Sequence, residues 1–219
     1  MGPRSHFDKD LEELNGMLGK MGIIVEEAIG RSIRSLVEHD SSLAREVIAD
    51  DNIIDDMELE IEEKCIKLIA TQQPLAGDLR KIFTALRIIT DLERIAGHAV
   101  DIAQVTVRLD GQEYIKPLID IPRMAVLARE MVKDCLEVYV SSDLKLAKDI
   151  SRKDDEIDAL YKQVFRELLV YMMENPKTIS QATQFLMVSR FLERIGDHAT
   201  NICEWMVYAV TGTRTDLNK

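Results

Sequence analysis

Aromatic residues make up only 5% of this 219-residue chain, and it has just 10 glycines and 5 prolines. An all-β fold needs turn residues and aromatic strand faces, so this shortage speaks against one. Cysteine is equally sparse. Cys65, Cys135 and Cys203 stand alone, with no C-x-x-C pair, which argues against a zinc knuckle or a redox dithiol. Each lies in an apolar stretch and reads as a buried, reduced thiol. No apolar run is long enough to span a membrane, and the polar start from Met1 to Asp10 is not a signal peptide. Positive charge is in deficit, with 28 Lys and Arg against 39 Asp and Glu and a net charge of −11. Nucleic acid is therefore not an expected partner, whereas a cation or a basic protein surface is compatible. No Walker A loop, H-E-x-x-H or G-x-S-x-G occurs, so active-site chemistry is not visible and no catalytic residue is assigned.

Hydrophobic residues reach 46%, dominated by Leu, Ile, Ala and Met among Glu and Lys, which is a helical composition. Six helices can be read. The first places Phe7, Leu11, Leu14, Leu18, Met21 and Val25 in a four-three alternation and runs to about Val37. His39-Asp40-Ser41-Ser42 supplies a turn and a cap for a second helix reaching about Ala70. After Pro74 a third runs from near Asp78 to about Val107. Asp110-Gly111, Pro117 and Pro122 mark a boundary. The plan then repeats: a helix from Pro122 to Val140, a Ser141-Ser142-Asp143 cap, a helix to Glu174, a break at Asn175-Pro176 and a last helix over 179–210. The expected fold is all-α, two tandem three-helix bundles related by pseudo-symmetry, over residues 5–110 and 111–212.

The repeat is also written in the residues. Leu92-Glu93-Arg94-Ile95-Ala96-Gly97-His98-Ala99 returns as Leu192-Glu193-Arg194-Ile195-Gly196-Asp197-His198-Ala199. Both strings lie in a helical seam that should be apolar. The third helix reads Leu79, Ile82, Leu86, Ile89, Glu93, Ala96, Val100 and Ala103 at inward positions. In the second helix the inward positions are Ala44, Val47, Asp51, Ile54, Glu58, Ile61, Cys65 and Leu68, so Asp51 and Glu58 fill apolar slots. The fifth reads Ala147, Ile150, Asp154, Ile157, Tyr161, Val164, Leu168 and Tyr171. Asp55 follows Asp51, and Asp158 follows Asp154, by four residues, about 400° of helix, hence on one face. Each unit thus aims acids from two helices: Asp51, Asp55 and Glu93 in the first, Asp154, Asp158, Glu193 and Asp197 in the second. Gly97 stands where the first unit lacks its fourth acid.

Clustered carboxylates repel and need compensation. Three readings are open: a hard or borderline cation on oxygen ligands, salt bridges from Arg94 and Arg194 or from His98 and His198, and a solvated acidic groove. Ferritin-type Glu-x-x-His is missing, because each histidine lies five residues after its glutamate and points about 140° away. His98 and His198 therefore read as hydrogen-bonded packing residues. Arg80, two residues after Asp78, offers an inter-unit contact or an anion site, against the plainer reading of a solvated arginine. Trp205 and Tyr208 read as packing residues that close the last helix.

The strings Leu192 to Ile202 (L-E-R-I-G-D-H-A-T-N-I), Gln72 to Arg80 (Q-Q-P-L-A-G-D-L-R) and Trp205 to Gly212 (W-M-V-Y-A-V-T-G) closely resemble the PhoU family of phosphate-uptake regulators, over Phe7 to Gly212. The resemblance implies paired three-helix bundles whose acidic motifs bind multinuclear metal clusters. Carried across, the metal ligands are Asp51, Asp55, Glu93, Asp154, Asp158, Glu193 and Asp197, for iron, manganese, magnesium or zinc. Gly97 departs from the family's aspartate, so the first site is expected to be weaker or completed by another group. Asp101 is one candidate, although it lies about 80° round the helix from Glu93. The resemblance further implies a non-enzymatic, homodimeric cytoplasmic adaptor, peripheral to the membrane through its partners. Those partners are a phosphate ABC transporter ATPase and a sensor histidine kinase, and the adaptor dampens the phosphate-starvation response. A metal-binding accessory of another phosphate or ion transporter, a metal store, or a carboxylate-bridged metalloenzyme are the rival expectations.

Overall fold

The computed structural model describes residues 3–141 and 145–217, and the side chains of 6–136 and 149–217. Seven α-helices follow in order: α1 (Pro3–Glu38), α2 (Ser41–Ala49), α3 (Asp51–Gln72), α4 (Ala76–Arg108), α5 (Asp120–Ser141), α6 (Lys145–Glu174) and α7 (Ile179–Thr211). The first four build one bundle and the last three the other, an all-α pair of three-helix bundles in which α2 and α3 share one helix position.

The chain breaks where its residues stop supporting helix. His39 takes φ 56°, and Asp40 caps α2 by accepting from the Leu43 amide at 2.9 Å. Gln73 turns left-handed at φ 45° ahead of Pro74, and Gly111 does so at φ 70° between the bundles. Asn175 accepts from the Lys177 amide and starts a 3-10 turn over Pro176–Thr178 that leads into α7. The Ser141-Ser142-Asp143 cap falls at residues 142–143, outside the described residues.

Two expectations are corrected. The second helix is not continuous: at Asp50 the ladder shortens, with the Ile53 amide donating to the Asp50 carbonyl three residues back. Arg31 of α1 grips the Asp50 carboxylate at 2.5 Å and Glu46 at 3.0 Å, holding the bend in place. The bend keeps α2 on α4 through Ala44, Val47 and Ala103, a small apolar cluster apart from the main one. The inward phase of the third helix also shifts. Leu79 is exposed, while Ile82, Ala85, Ile89, Leu92, Ile95, Ala99 and Ile102 are buried. The reason is that α4 packs against α1, α2, α3 and α7 at once, so its buried arc is wider than one seam.

Packing of α4 on α7 joins the bundles, and a single apolar core runs through both. Fully buried Leu, Ile and Met along α1, α4 and α7 each contribute about 1.5–3 kcal/mol. The helix pairs that carry the acids, α3 with α4 and α6 with α7, lie on the flanks of this central contact.

Candidate functional site

In the second repeat Asp154 and Asp158 sit one turn apart on α6, and Glu193 and Asp197 one turn apart on α7. Gly196 lets the two helices close. A Cβ at that position would lie 2.7 Å from Oδ1 of Asp154, so the carboxylate rests against the α7 backbone. Burial, then the charges of Asp197 and Asp158, push Asp154 up to about 6, against a smaller opposing pull from the Thr200 hydroxyl. Glu193 is raised by burial and by Asp197, and Asp197 by burial and by Asp158. The structure therefore brings these four carboxyls within mutual electrostatic reach.

In the first repeat Asp51 is raised by burial, then by Asp55, Glu93 and Asp101. Glu58 is raised by burial, then by Glu93, Glu62 and Asp55. Asp51, Asp55 and Glu93 are thus gathered as their spacing implies, and Glu58 and Asp101 join them. The seam phase had already marked Glu58 as an acid in an apolar slot, which was the signal to include it. Asp101 carried a weaker signal, because helical angle alone turned it away from Glu93. A Cβ at Gly97 would meet nothing within 4 Å, so no neighbour stands in the way of the fourth acid.

Compensating charge is thin and local. Arg94 pairs with its neighbour Glu93 at 3.4 Å, Lys162 with Asp158 at 3.3 Å, and Arg190 with Glu193. Each pair lies within one helix, so the expected helix-to-helix bridges from Arg94 and Arg194 to the clustered acids do not occur among the described residues. Oε2 of Glu193 is buried with no hydrogen-bond partner. Of the histidines, His98 touches the first acid group only at Asp101, and His198 hydrogen-bonds outside the second. His198 contacts Asp91 across α4 and α7 at 2.9 Å, His98 contacts Asp101 at 3.3 Å, and their rings lie 5.9 Å apart, with His98 stacked on Phe191. They are hydrogen-bonded packing residues, as their angle on the helix requires. Burial lowers the pKa of His98, against the pull of Asp101.

Oxygen-only donors, among them the raised Asp51, Asp154, Glu193 and Asp197 and the orphaned buried oxygen of Glu193, suit a hard cation. Among the described residues, however, no three of His, Cys, Asp or Glu converge into a ready coordination shell. The donor chemistry suits a metal, although the side chains do not close around one point. The three cysteines are free and buried, with burial pushing Cys65 up to about 11 and Cys203 up to about 12, so they are inert packing residues.

Known proteins place this architecture. The PhoU domain matches the chain twice, over residues 18–106 and 121–206. A phosphate-specific transport system accessory protein PhoU homolog of Clostridium acetobutylicum is 46% identical over 216 residues, covering 98% of this chain and 99% of that protein. A homolog of the same name from Rhizobium meliloti is 42% identical, covering 96% and 89%. The crystal structure of PhoU from Pseudomonas aeruginosa superposes with a TM-score of 0.90 at 36% identity, covering 94% of this chain and 100% of that one. That of the phosphate transport system regulatory protein PhoU from Streptococcus pneumoniae gives 0.88 at 30% identity, covering 96% and 99%. A doubled domain match over most of the chain and these near-full-length relatives agree with the repeated helical plan and its doubled acidic motif: the chain belongs to the PhoU family.

Proposed function

We propose that this chain is a non-enzymatic regulator of phosphate transport, an adaptor between a phosphate ABC transporter ATPase and a sensor histidine kinase. It works in the cytoplasm and damps the phosphate-starvation response. Its relatives are named accessory and regulatory proteins of phosphate transport, which supports the coarse reading. No helix among the described residues is long and apolar enough to cross a membrane, in keeping with peripheral attachment through partners. The repeats, 5–110 and 111–212, act as one rigid unit because they share a core, and two copies form the working dimer.

The observation that carries the metal part of the reading is the orphaned, buried Oε2 of Glu193 among Asp154, Asp158 and Asp197. A bound iron, manganese, magnesium or zinc ion supplies positive charge that neutralises these carboxylates. Asp154, Asp158, Glu193 and Asp197 are its ligands in the second repeat, and Asp51, Asp55 and Glu93 in the first. Asp154, resting on Gly196, sets how closely α6 and α7 approach, and Glu193 anchors the cluster from the core side. Loading would hold each helix pair in one spacing, giving partners a fixed surface to read.

Elemental analysis of the purified chain, beside Asp154→Ala/Glu193→Ala, tests the metal reading: the wild type should carry metal that the variant has lost. Unchanged metal content would overturn it. The adaptor reading is tested by affinity purification from phosphate-replete cells, where recovery of neither transporter ATPase nor sensor kinase counts against it.

A further inference from the structure

An open groove of about 540 Å³ lies where the α3–α4 corner meets the end of α7, lined by Ile69, Leu79, Arg80, Phe83, Leu86 and Tyr208. The Q-Q-P-L-A-G-D-L-R string builds it: Pro74 and Leu75 lead into α4, which turns Leu79, Arg80 and Phe83 to one side. Leu79 is 43% exposed, Phe83 46%, Leu75 69% and Ile66 63%, a concentration of solvated apolar surface beside a well-filled core.

The groove's charge runs against that of the chain. In a molecule of net charge −11, Arg80 lines it, and Arg87 and Arg214 lie over Trp205, which packs against the lining residue Phe83. Arg80 lies over Tyr208 at 5.7 Å, and Arg87 and Arg214 lie over Trp205 at 5.0 and 4.6 Å. Phe83 meets the edge of Trp205 at 5.8 Å. Among the described residues neither Arg80 nor Arg87 has a carboxylate at salt-bridge distance, and Arg214 reaches Glu204 only at 3.9 Å. Gly212, left-handed at φ 75°, leaves the space that the Arg80 guanidinium occupies; a Cβ there would lie 2.4 Å from it. Arginine, tryptophan and tyrosine around apolar anchors are the residues that carry binding energy at protein interfaces.

We propose that this groove docks an amphipathic acidic helix of a partner protein. Ala76 to Arg87 spans about three helical turns, roughly 16 Å, and matches a segment with apolar side chains at i, i+3 or i+4, and i+7. Those side chains enter beside Leu79 and Phe83, and flanking carboxylates meet Arg80 and Arg87. A concave seat and the acidic remainder of the chain favour such a helix over an anionic bilayer. The proposal rests on the adaptor reading in one respect, that the chain acts by binding other proteins.

A phage-displayed library of random peptides about 15 residues long, roughly four helical turns, panned on the immobilised full chain and counter-selected on Phe83→Glu, tests it. The enriched peptides should combine apolar residues at helical spacing with Asp or Glu. Synthetic versions should bind Phe83→Glu at least ~30-fold more weakly, the loss of one interface anchor. Arg80→Glu/Arg87→Glu should weaken them about tenfold while circular dichroism stays unchanged, with only a small fall in melting temperature from the lost contacts to Tyr208 and Trp205. No enrichment, or enrichment of basic peptides, overturns the proposal. So does a groove whose disruption only dissolves a dimer or releases anionic vesicles. If panning fails while transporter ATPase still co-purifies, the groove is lost and the adaptor reading stands; if panning succeeds and no transporter component co-purifies, the converse holds.

Discussion

The two repeats carry the same helices but distribute their acids differently. In the second, Asp154, Asp158, Glu193 and Asp197 crowd together, with Tyr161, Gly196 and Asn201 at the neighbouring positions. In the first, the counterparts of those three are Glu58, Ala96 and Asp101, while Gly97 replaces the acid at Asp197. The first repeat therefore has acids at Glu58 and Asp101 and none at Gly97, whereas the second keeps its four as two pairs, each one turn apart on its helix. The second set has an electrostatic signature: burial, then the charges of Asp197 and Asp158, pushes Asp154 up to about 6. It also has a steric cause, because Gly196 admits that carboxylate against α7. A shared fold thus constrains where helices lie but leaves the charge between them free to be rearranged.

The sharpest break in the comparison is expected from ligand removal. Asp154→Ala/Glu193→Ala should weaken Mn²⁺ binding at the second repeat at least ~100-fold by calorimetric titration, more than the 10–100-fold typical of outer-shell changes. Asp51→Ala/Glu93→Ala should cost the first repeat only about tenfold, because Glu58 and Asp101 remain. Equal losses would mean the repeats are equivalent despite Gly97.

Next in size is repair of the first repeat. Gly97→Asp enters open space, so its carboxylate can join Glu93 without displacing a neighbour. Mn²⁺ affinity at that repeat should rise about tenfold, roughly 1.4 kcal/mol. No gain would show that Glu58 and Asp101 already complete the set.

Smaller still is the pH effect in the metal-free protein. Between the ordinary 3.8 and about 6, folded Asp154 holds a proton that the unfolded chain has released. Its contribution to stability is whole below about pH 4, is lost as pH rises through 6, and stays absent above. Glu193, Asp197, Asp51 and Glu58, all raised, act in the same direction. Asp154→Asn should flatten this slope and raise stability at pH 7.5 on the order of 1 kcal/mol after screening, about 2–4 °C in Tm. A melt in which the substitution lowers Tm at that pH would show that the carboxylate is paired in solution.

How far the sequence disclosed these sites depended on the angular reach of each signal. Helical period found the α3 and α6 faces because each packs mainly one arc inward, and it put Asp51, Glu58 and Asp154 in the seam; Glu193 followed from the repeat of Glu93. The same period misread Leu79, because α4 touches four helices and its buried arc is broad. The bend at Asp50 was hidden as well, since it depends on Arg31, a residue of another helix. Asp101, named only as a candidate because of its angle, was undervalued for a related reason: the sum of nearby charge, rather than one face, sets which acids feel each other. Gly196 was legible only as a difference from Ala96; its use appears once Asp154 is seen against the α7 backbone.

The smallest expected difference lies in the arginines. Arg94 pairs with Glu93 in a mostly solvated position, with the guanidinium side chain 64% exposed and the carboxylate 31%. Such a pair gains little over hydration, so Arg94→Ala should change metal-free stability by ~0.5 kcal/mol or less. Arg190 contacts Glu193, whose side chain is only 11% exposed, and it opposes the upward push on that carboxyl. Losing it leaves that poorly exposed carboxyl only the weaker pull of Arg194, so Arg190→Ala should cost more than Arg94→Ala in paired urea titrations at neutral pH. The gap should close at low pH, where Glu193 is protonated in both proteins, and should also close on adding metal, which would take over the compensation in the second repeat. A gap that persists under both conditions would assign Arg190 to packing over Tyr161, where its guanidinium lies 5.8 Å from the ring, rather than to charge.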